Sequence, residues 1–375
     1  MNDMKIGQGI ALFTPLTIRG VTFRNRMVLS PMSQYAAEDG RAGDWHFDHY
    51  AHMALSGLGG ALVEATAISP EGRITPDCLG LWRDDQIEGL SRVAAIFHRH
   101  GIPAGIQIGH AGRKGSTDAP WNGGRFLPES DPRYWQTLAP SALKYHDDWP
   151  TPRALTLDGI AQVRADFVSA ARRAVAAGFD FIEIHGAHGY LLHSFVSPLC
   201  NAREDGYGGT AGNRMRLPLE ITADLRNAIP GDMPLFYRAS CIDRVEGGLV
   251  IEDTVALAKG LKDAGADLVD CSAGGAAMST NGAYIKGDIT EQHDMAASIR
   301  AESGLATMAV GGIHSPGMAA AILDAGKADL VAIASEMLNN FDFPRQCAEA
   351  LGAERPDFVQ PLRYAFYNQF RRAKP

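Results

Sequence analysis

Basic residues are in the minority: 35 Lys and Arg stand against 43 Asp and Glu, a formal net charge of −8. Nucleic acids and anionic membranes are held by clustered positive charge, so the balance argues against both and favours small-molecule partners. Long apolar runs are missing as well. No stretch approaches the ~20 residues needed to cross a bilayer, and Met1 to Gly9 lacks the apolar core of a signal peptide. Cysteine is sparse and scattered, at 78, 200, 241, 271 and 347, with no close pair suited to zinc or an iron–sulfur cluster. A reduced, cytoplasmic setting fits that usage. No Gly-x-Gly-x-x-Gly opens a first helix, so a nicotinamide-binding fold of the usual kind is not expected. No lysine at a strand end suits a Schiff base either; Lys114 falls in a loop.

What the 375 residues do contain is alternation. Met27 to Ser30, Gly60 to Thr66, Ile102 to Ile108, Phe179 to Ile184, Pro234 to Arg238, Ala266 to Cys271, Ala306 to Val310 and Ala328 to Ala334 read as strands. Between them lie amphipathic stretches such as Leu157 to Ala177, Asn213 to Ala228, Glu252 to Ala264 and Pro316 to Ala325. Three end in Ala-Gly (177–178, 264–265, 325–326), the usual left-handed residue after a helix. Eight strand–helix units in this length predict a closed (β/α)8 barrel spanning 1–375 as one domain, with an open doubly wound sheet as the alternative. The runs on either side of Arg19-Gly20 predict an N-terminal β-hairpin plugging the barrel floor. The stretch 116–156, inserted after the third strand, is too long for an ordinary connection, and its Trp121, Tyr134, Trp135 and Trp149 predict a packed lid.

The densest chemistry lies at Phe181-Ile-Glu-Ile-His-Gly-Ala-His-Gly-Tyr190, where an apolar strand releases two histidines and a tyrosine. Catalytic groups collect at the C-terminal ends of barrel strands. Glu183, His193 and His110 are the further ligands a zinc ion would want, but their spacing matches no zinc pattern, and no metal is expected. We read His185 and His188 as neutral donors aimed at one ligand oxygen, useful wherever a carbonyl or phenol gains negative charge. Val310-Gly311-Gly312-Ile313-His314-Ser315-Pro316 joins the seventh strand to a helix with exposed amides and a capping serine, which predicts an anion site of the kind that holds phosphate in barrels. Gln107 and Arg238 stand at two other strand ends. A guanidinium there needs an acceptor against it, either the N1/C2-carbonyl edge of a flavin or a structural carboxylate.

Taken together, Ser30-Pro-Met-Ser-Gln-Tyr35, Val63-Glu-Ala-Thr-Ala67, Glu71-Gly-Arg-Ile-Thr75, Gly105 to Lys114, His185 to Tyr190, Asn201 to Gly209 and Asn213-Arg214 resemble the Old Yellow Enzyme family, its thermophilic-like branch with the bacterial xenobiotic reductases above all. The resemblance runs from Leu12 to the C-terminal helix. It implies an FMN-bound barrel that takes hydride from NAD(P)H and passes it from flavin N5 to the β-carbon of an α,β-unsaturated carbonyl or similar activated alkene. An oxidase or aromatising dehydrogenase of the same fold, and a barrel that binds flavin with reduced catalysis, are the alternatives. The resemblance places flavin contacts at Ser30, Pro31, Met32, Ser33, Ala65, Gln107 and Arg238, with phosphate held by Gly311, Gly312, Ala334 and Ser335. Substrate contacts fall at Tyr35, His185, His188 and Tyr190, with Tyr190 matching the position that often delivers a proton. It further implies a homodimer or homotetramer in which the C-terminal segment, about 360–375, brings Tyr367, Arg371 or Arg372 near a neighbour's pocket. Two departures stand out: Ser33 where the branch usually has cysteine, and Ala334-Ser335 where it usually has Gly-Arg with the arginine on the FMN phosphate. They lead us to expect a shifted flavin potential and easier loss of FMN.

Overall fold

In the computed structural model, residues 10–277 and 287–372 are described. The chain opens with a hairpin, β1 (Leu16–Ile18) and β2 (Val21–Phe23), then runs β3 (Met27–Leu29), α1 (Asp44–Ala54), β4 (Gly60–Ala67), α2 (Ile87–His98) and β5 (Ala104–Gly109). After two short strands, β6 (Leu138–Ala139) and β7 (Arg153–Ala154), come α3 (Leu157–Ala176), β8 (Phe181–Gly186), α4 (Leu191–Val196), α5 (Ala211–Ala228) and β9 (Leu235–Ser240). The remainder is α6 (Ile251–Asp263), β10 (Leu268–Ser272), α7 (Glu291–Ser303), β11 (Ala306–Val310), α8 (Pro316–Asp324), β12 (Leu330–Ile333), α9 (Ser335–Asn339), α10 (Phe343–Ala350) and α11 (Leu362–Arg372). Strands β3, β4, β5, β8, β9, β10, β11 and β12 pair in parallel around a closed barrel, so the (β/α)8 reading holds and the open-sheet alternative falls.

Local signals set the helix ends. Thr156, Thr210 and Ser315 cap α3, α5 and α8 by accepting a backbone N–H from the first turn. Gly178, Gly265 and Gly326 take φ of 86°, 99° and 67° in the turns that return the chain to the sheet. The apolar helix faces pack on the outer faces of the strands in one large core.

Inside the barrel, alternate residues form layers. Val28, Leu62, Phe181, Phe236, Leu268, Met308 and Leu330 fill the floor. The hairpin inserts Phe23 beneath them, its ring 5.4 Å from Phe181 and 6.3 Å from Phe236. Gly60 and Gly105 make room: a Cβ on either would fall 2.6 Å from the Phe23 ring or 2.3 Å from the Phe181 ring. Arg19 at the hairpin tip reaches Asp267 and the carbonyl of Gly231 on the underside. The floor is thus sealed, and the open end is the C-terminal mouth.

Residues 116–156 follow the third barrel strand. They are packed, not loose: the β6–β7 pair, the ring contacts Phe126–Tyr134 and Tyr145–Trp149, and the Trp135 indole donating to the Glu71 carbonyl at 3.0 Å hold them together.

Candidate active site

His185 ends β8, and the chain then turns sharply enough that His188 takes φ of 60°, a left-handed conformation rare for a residue with a side chain. Neighbouring segments enforce it. The Ser240 hydroxyl at the end of β9 accepts the His188 N–H at 2.8 Å and donates to the Gly274 carbonyl at 2.8 Å. Lys114 Nζ donates to the His188 carbonyl at 2.7 Å. Gly275 lies so close that a Cβ there would fall 2.4 Å from the His188 carbonyl carbon.

The two rings stand nearly perpendicular, 83° apart, with His185 Nε2 and His188 Nδ1 separated by 3.4 Å. His185 Nδ1 accepts the Ala187 N–H at 3.2 Å, while His188 Nε2 lies 2.6 Å from the Ser272 hydroxyl. Burial, then the positive charge of Arg238, lowers both imidazoles well below the ordinary histidine range, so they are neutral at physiological pH. Tyr190 sits edge-on to His185 at 4.8 Å, with Lys114 Nζ 5.3 Å from its ring. Tyr35, φ 49° and stacked edge-on against Trp121, is pushed up to about 12, chiefly by burial, and so keeps its proton. Its loop is tied down where the buried Glu64 carboxylate accepts the Gln34 N–H at 2.7 Å.

Below the mouth the barrel carries a layer of ionisable groups. The Arg238 Nε lies 3.2 Å from Asp270 Oδ2, without hydrogen-bond geometry, and Gln107 donates to Glu183 Oε1 at 2.8 Å. One guanidinium faces two fully buried carboxylates. Burial, and then the Asp270 charge, pushes Glu183 up to about 8; burial raises Asp270 as well.

The structure brings most of the expected residues together. Ser30, Pro31, Met32 and Ser33 follow β3, and the Ser30 N–H donates to Ile333 at the end of β12. A register shift between Val63 and Thr66 turns Ala65 toward a small cavity shared with His110, His185 and Tyr190. Gly311, Gly312, Ala334 and Ser335 follow the adjacent strands β11 and β12. Tyr367 stands apart on α11, 73 % exposed. The side chains of Arg371 and Arg372, like residues 373–375, lie outside the described residues. Of the three groups weighed for zinc, Glu183 Oε1 accepts from Gln107, His193 Nδ1 accepts the Gly189 N–H with its Nε2 2.9 Å from Asp243, and His110 Nδ1 accepts the Gly112 N–H. Three participants escaped the sequence reading. Ser240 and Ser272 look like ordinary strand-end serines. Lys114 is in a short 3-10 turn rather than an open loop, and its amine, lowered to about 7 mainly by burial, is part of the site.

Comparison with known proteins settles the class. The model of the NADH:flavin oxidoreductase / NADH oxidase family matches residues 11–354. The chain belongs to this family. An NADPH dehydrogenase of Halalkalibacterium halodurans is 42 % identical over 343 residues, covering 91 % of this chain and 95 % of that protein. An NADPH dehydrogenase of Bacillus subtilis is 39 % identical over 355 residues, covering 93 % and 97 %. Among solved structures, an Old Yellow Enzyme homologue from Zymomonas mobilis (27 % identity, TM-score 0.74, covering 95 % and 99 %) and morphinone reductase (27 %, 0.75, covering 95 % and 95 %) share the fold. The chain is an Old Yellow Enzyme-type, NAD(P)H-dependent flavin oxidoreductase with FMN as its cofactor.

The residues present suit an FMN of this family. Arg238 is 7 % exposed and its Nε makes no hydrogen bond, so a buried donor is available at the mouth. The amides of Gly311 and Gly312, at φ 109° and 63°, have no partner among the described residues and suit a phosphate. The same glycines also admit the close passage of Ile289 and Gln292, which a Cβ on Gly311 would meet at 2.9 and 2.6 Å. Ser335 contributes a hydroxyl where the branch usually places a cation.

Proposed function

We propose that the chain is an FMN-dependent ene-reductase acting on α,β-unsaturated carbonyls or similar activated alkenes. The observation that carries the reading is the pair of neutral ring nitrogens, His185 Nε2 and His188 Nδ1, 3.4 Å apart at the open end of the barrel. Two donors so placed suit one carbonyl oxygen and stabilise the negative charge it gains as hydride reaches the β-carbon. FMN held by the residues named below would supply the hydride-transfer chemistry between NAD(P)H and the alkene. In this reading Ser30, Pro31, Met32, Ser33, Ala65, Gln107 and Arg238 contact the flavin ring, and Gly311, Gly312, Ala334 and Ser335 its phosphate. Tyr35 and Tyr190 flank the substrate, and Tyr190, next to His185, hands a proton to the α-carbon. Residues 116–156 cover the mouth through Trp121, whose ring meets that of Tyr35 edge-on. Leu362, Tyr364, Phe366, Tyr367 and Phe370 leave α11 with an exposed apolar surface, which we assign to contact between copies in a homodimer or homotetramer.

The test is single replacement of either imidazole. His185→Ala or His188→Ala should slow turnover of cyclohexenone by roughly 10²-fold, the usual cost of one lost oxyanion donor, while FMN stays bound. Parent-like rates in both variants would remove the donor assignment.

A further inference from the structure

A neutral imidazole has one N–H and one bare nitrogen, so a pair of them is a two-donor clamp only if both tautomers are correct. For His185 the choice is made by the backbone. Its Nδ1 accepts the Ala187 N–H, which leaves the proton on Nε2, facing the substrate side. For His188 two arrangements fit the same heavy atoms. With the proton on Nε2, that nitrogen donates to Ser272, and the bare Nδ1 takes the His185 Nε2–H across 3.4 Å. The pair then closes on itself and offers a carbonyl little. With the proton on Nδ1, Ser272 donates to Nε2 at 2.6 Å, and both imidazole N–H groups converge on the gap between the rings.

We infer that Ser272 is a positioning residue whose hydroxyl donates to His188 Nε2 and so sets the His188 proton on Nδ1, the nitrogen that faces substrate. The inference rests on the paired-imidazole reading above. Its warrant is where the Ser272 hydroxyl proton can go. Ser240, beside it in the β9–β10 register, already donates to Gly274 and accepts the His188 N–H. Among the described residues His188 Nε2 is the one partner of Ser272 Oγ. If His188 carried its proton on Nε2, the Ser272 O–H would be buried without an acceptor among the described residues, and an unpaired buried donor loses its hydration with nothing in return. The His188 Nδ1–H, by contrast, points into the gap between the two rings, the space assigned above to the substrate oxygen, which can receive it. Two neighbouring strands therefore divide the work: Ser240 holds the backbone of His188 and Ser272 orients its ring.

The FMN-loaded enzyme, labelled with 15N in its histidine rings, tests this directly. NMR of the parent, with His188→Ala to assign the resonances, should show His188 protonated at Nδ1 and bare at Nε2. Ser272→Ala should shift the proton to Nε2 or mix the two forms, and Ser272→Thr, which keeps the hydroxyl, should restore the parent pattern. With cyclohexenone, Ser272→Ala should lower kcat by about tenfold or more with KM changed far less, because the lost donor acts most strongly on the developing charge. Its FMN content, read from released flavin, should equal the parent's. A parent spectrum with His188 protonated at Nε2 overturns the inference, whatever the variants do. So does Ser272→Ala with an unchanged tautomer or with parent kcat, provided that His188→Ala is slow. If His188→Ala itself turns over at the parent rate, the paired-imidazole reading has failed instead.

Discussion

Replacing Glu183 by glutamine removes one titrating proton from the barrel interior. In the fold, burial and the nearby Asp270 push the Glu183 carboxyl up to about 8, whereas in the unfolded chain it titrates as an ordinary carboxylate. Between those two values the native state holds a proton that the unfolded state has released. Stability therefore falls as pH rises through this window, and the full contribution is present only below the ordinary carboxylate range. One such proton is worth about 1.4 kcal/mol per pH unit, so the parent should lose about 3 kcal/mol from this site between about pH 5.5 and about pH 7.5. Glutamine keeps the acceptor that Gln107 uses on Glu183 Oε1 and mimics the protonated acid. Glu183→Gln should thus match the parent near pH 5.5 and become progressively more stable above it. Urea unfolding of both proteins at saturating FMN across this range measures the difference. Two curves that run parallel would show that Glu183 is already ionised in the fold and would sink the picture of a protonated Glu183 carboxyl beside the Arg238–Asp270 pair.

Ser335→Arg should tighten FMN by about tenfold, the scale of one charge-assisted hydrogen bond, and dialysis should strip FMN from the parent faster than from this variant; equal loss would mean that another group already holds the phosphate. Ser33→Cys should shift the flavin midpoint potential by roughly 30 mV or more, equivalent to about 1.4 kcal/mol for a two-electron couple, and an unchanged potential would reduce Ser33 to a tolerated small residue. Light scattering at micromolar concentration should find a dimer or tetramer, whereas a fully active monomer would refute the role given to α11.

The barrel was legible because each strand announces itself by apolar β-branched residues, and β11 was placed residue for residue. Four others, β5, β8, β9 and β10, were drawn one or two residues too early at both ends. Ile102, Phe179 and Ala266 are apolar residues packed under the sheet but outside the ladder, while Gly186, Ser240 and Ser272 look like loop residues yet pair in register at the mouth. Polarity misled there because the mouth is polar and the backbone pairing does not depend on it. The catalytic stretch was legible because His185, His188 and Tyr190 lie within six residues of sequence. Their supports were not: Ser240, Lys114 and Ser272 lie 52, 74 and 84 positions from His188. The sequence left the Arg238 partner open between flavin and carboxylate; register supplies a carboxylate by setting Asp270 beside Arg238 on β10, while the Arg238 Nε makes no hydrogen bond and stays available to a flavin.

That distance has a consequence for how the enzyme comes into being. His188 holds a backbone conformation it would seldom visit alone, and the restraints on it come from β9, from the turn beyond β5 and from the loop after β10. A nascent chain that has made β8 already contains both histidines, yet it has no clamp. The second donor acquires its direction only when distant strands have closed around it, so competence should appear together with the last steps of barrel assembly.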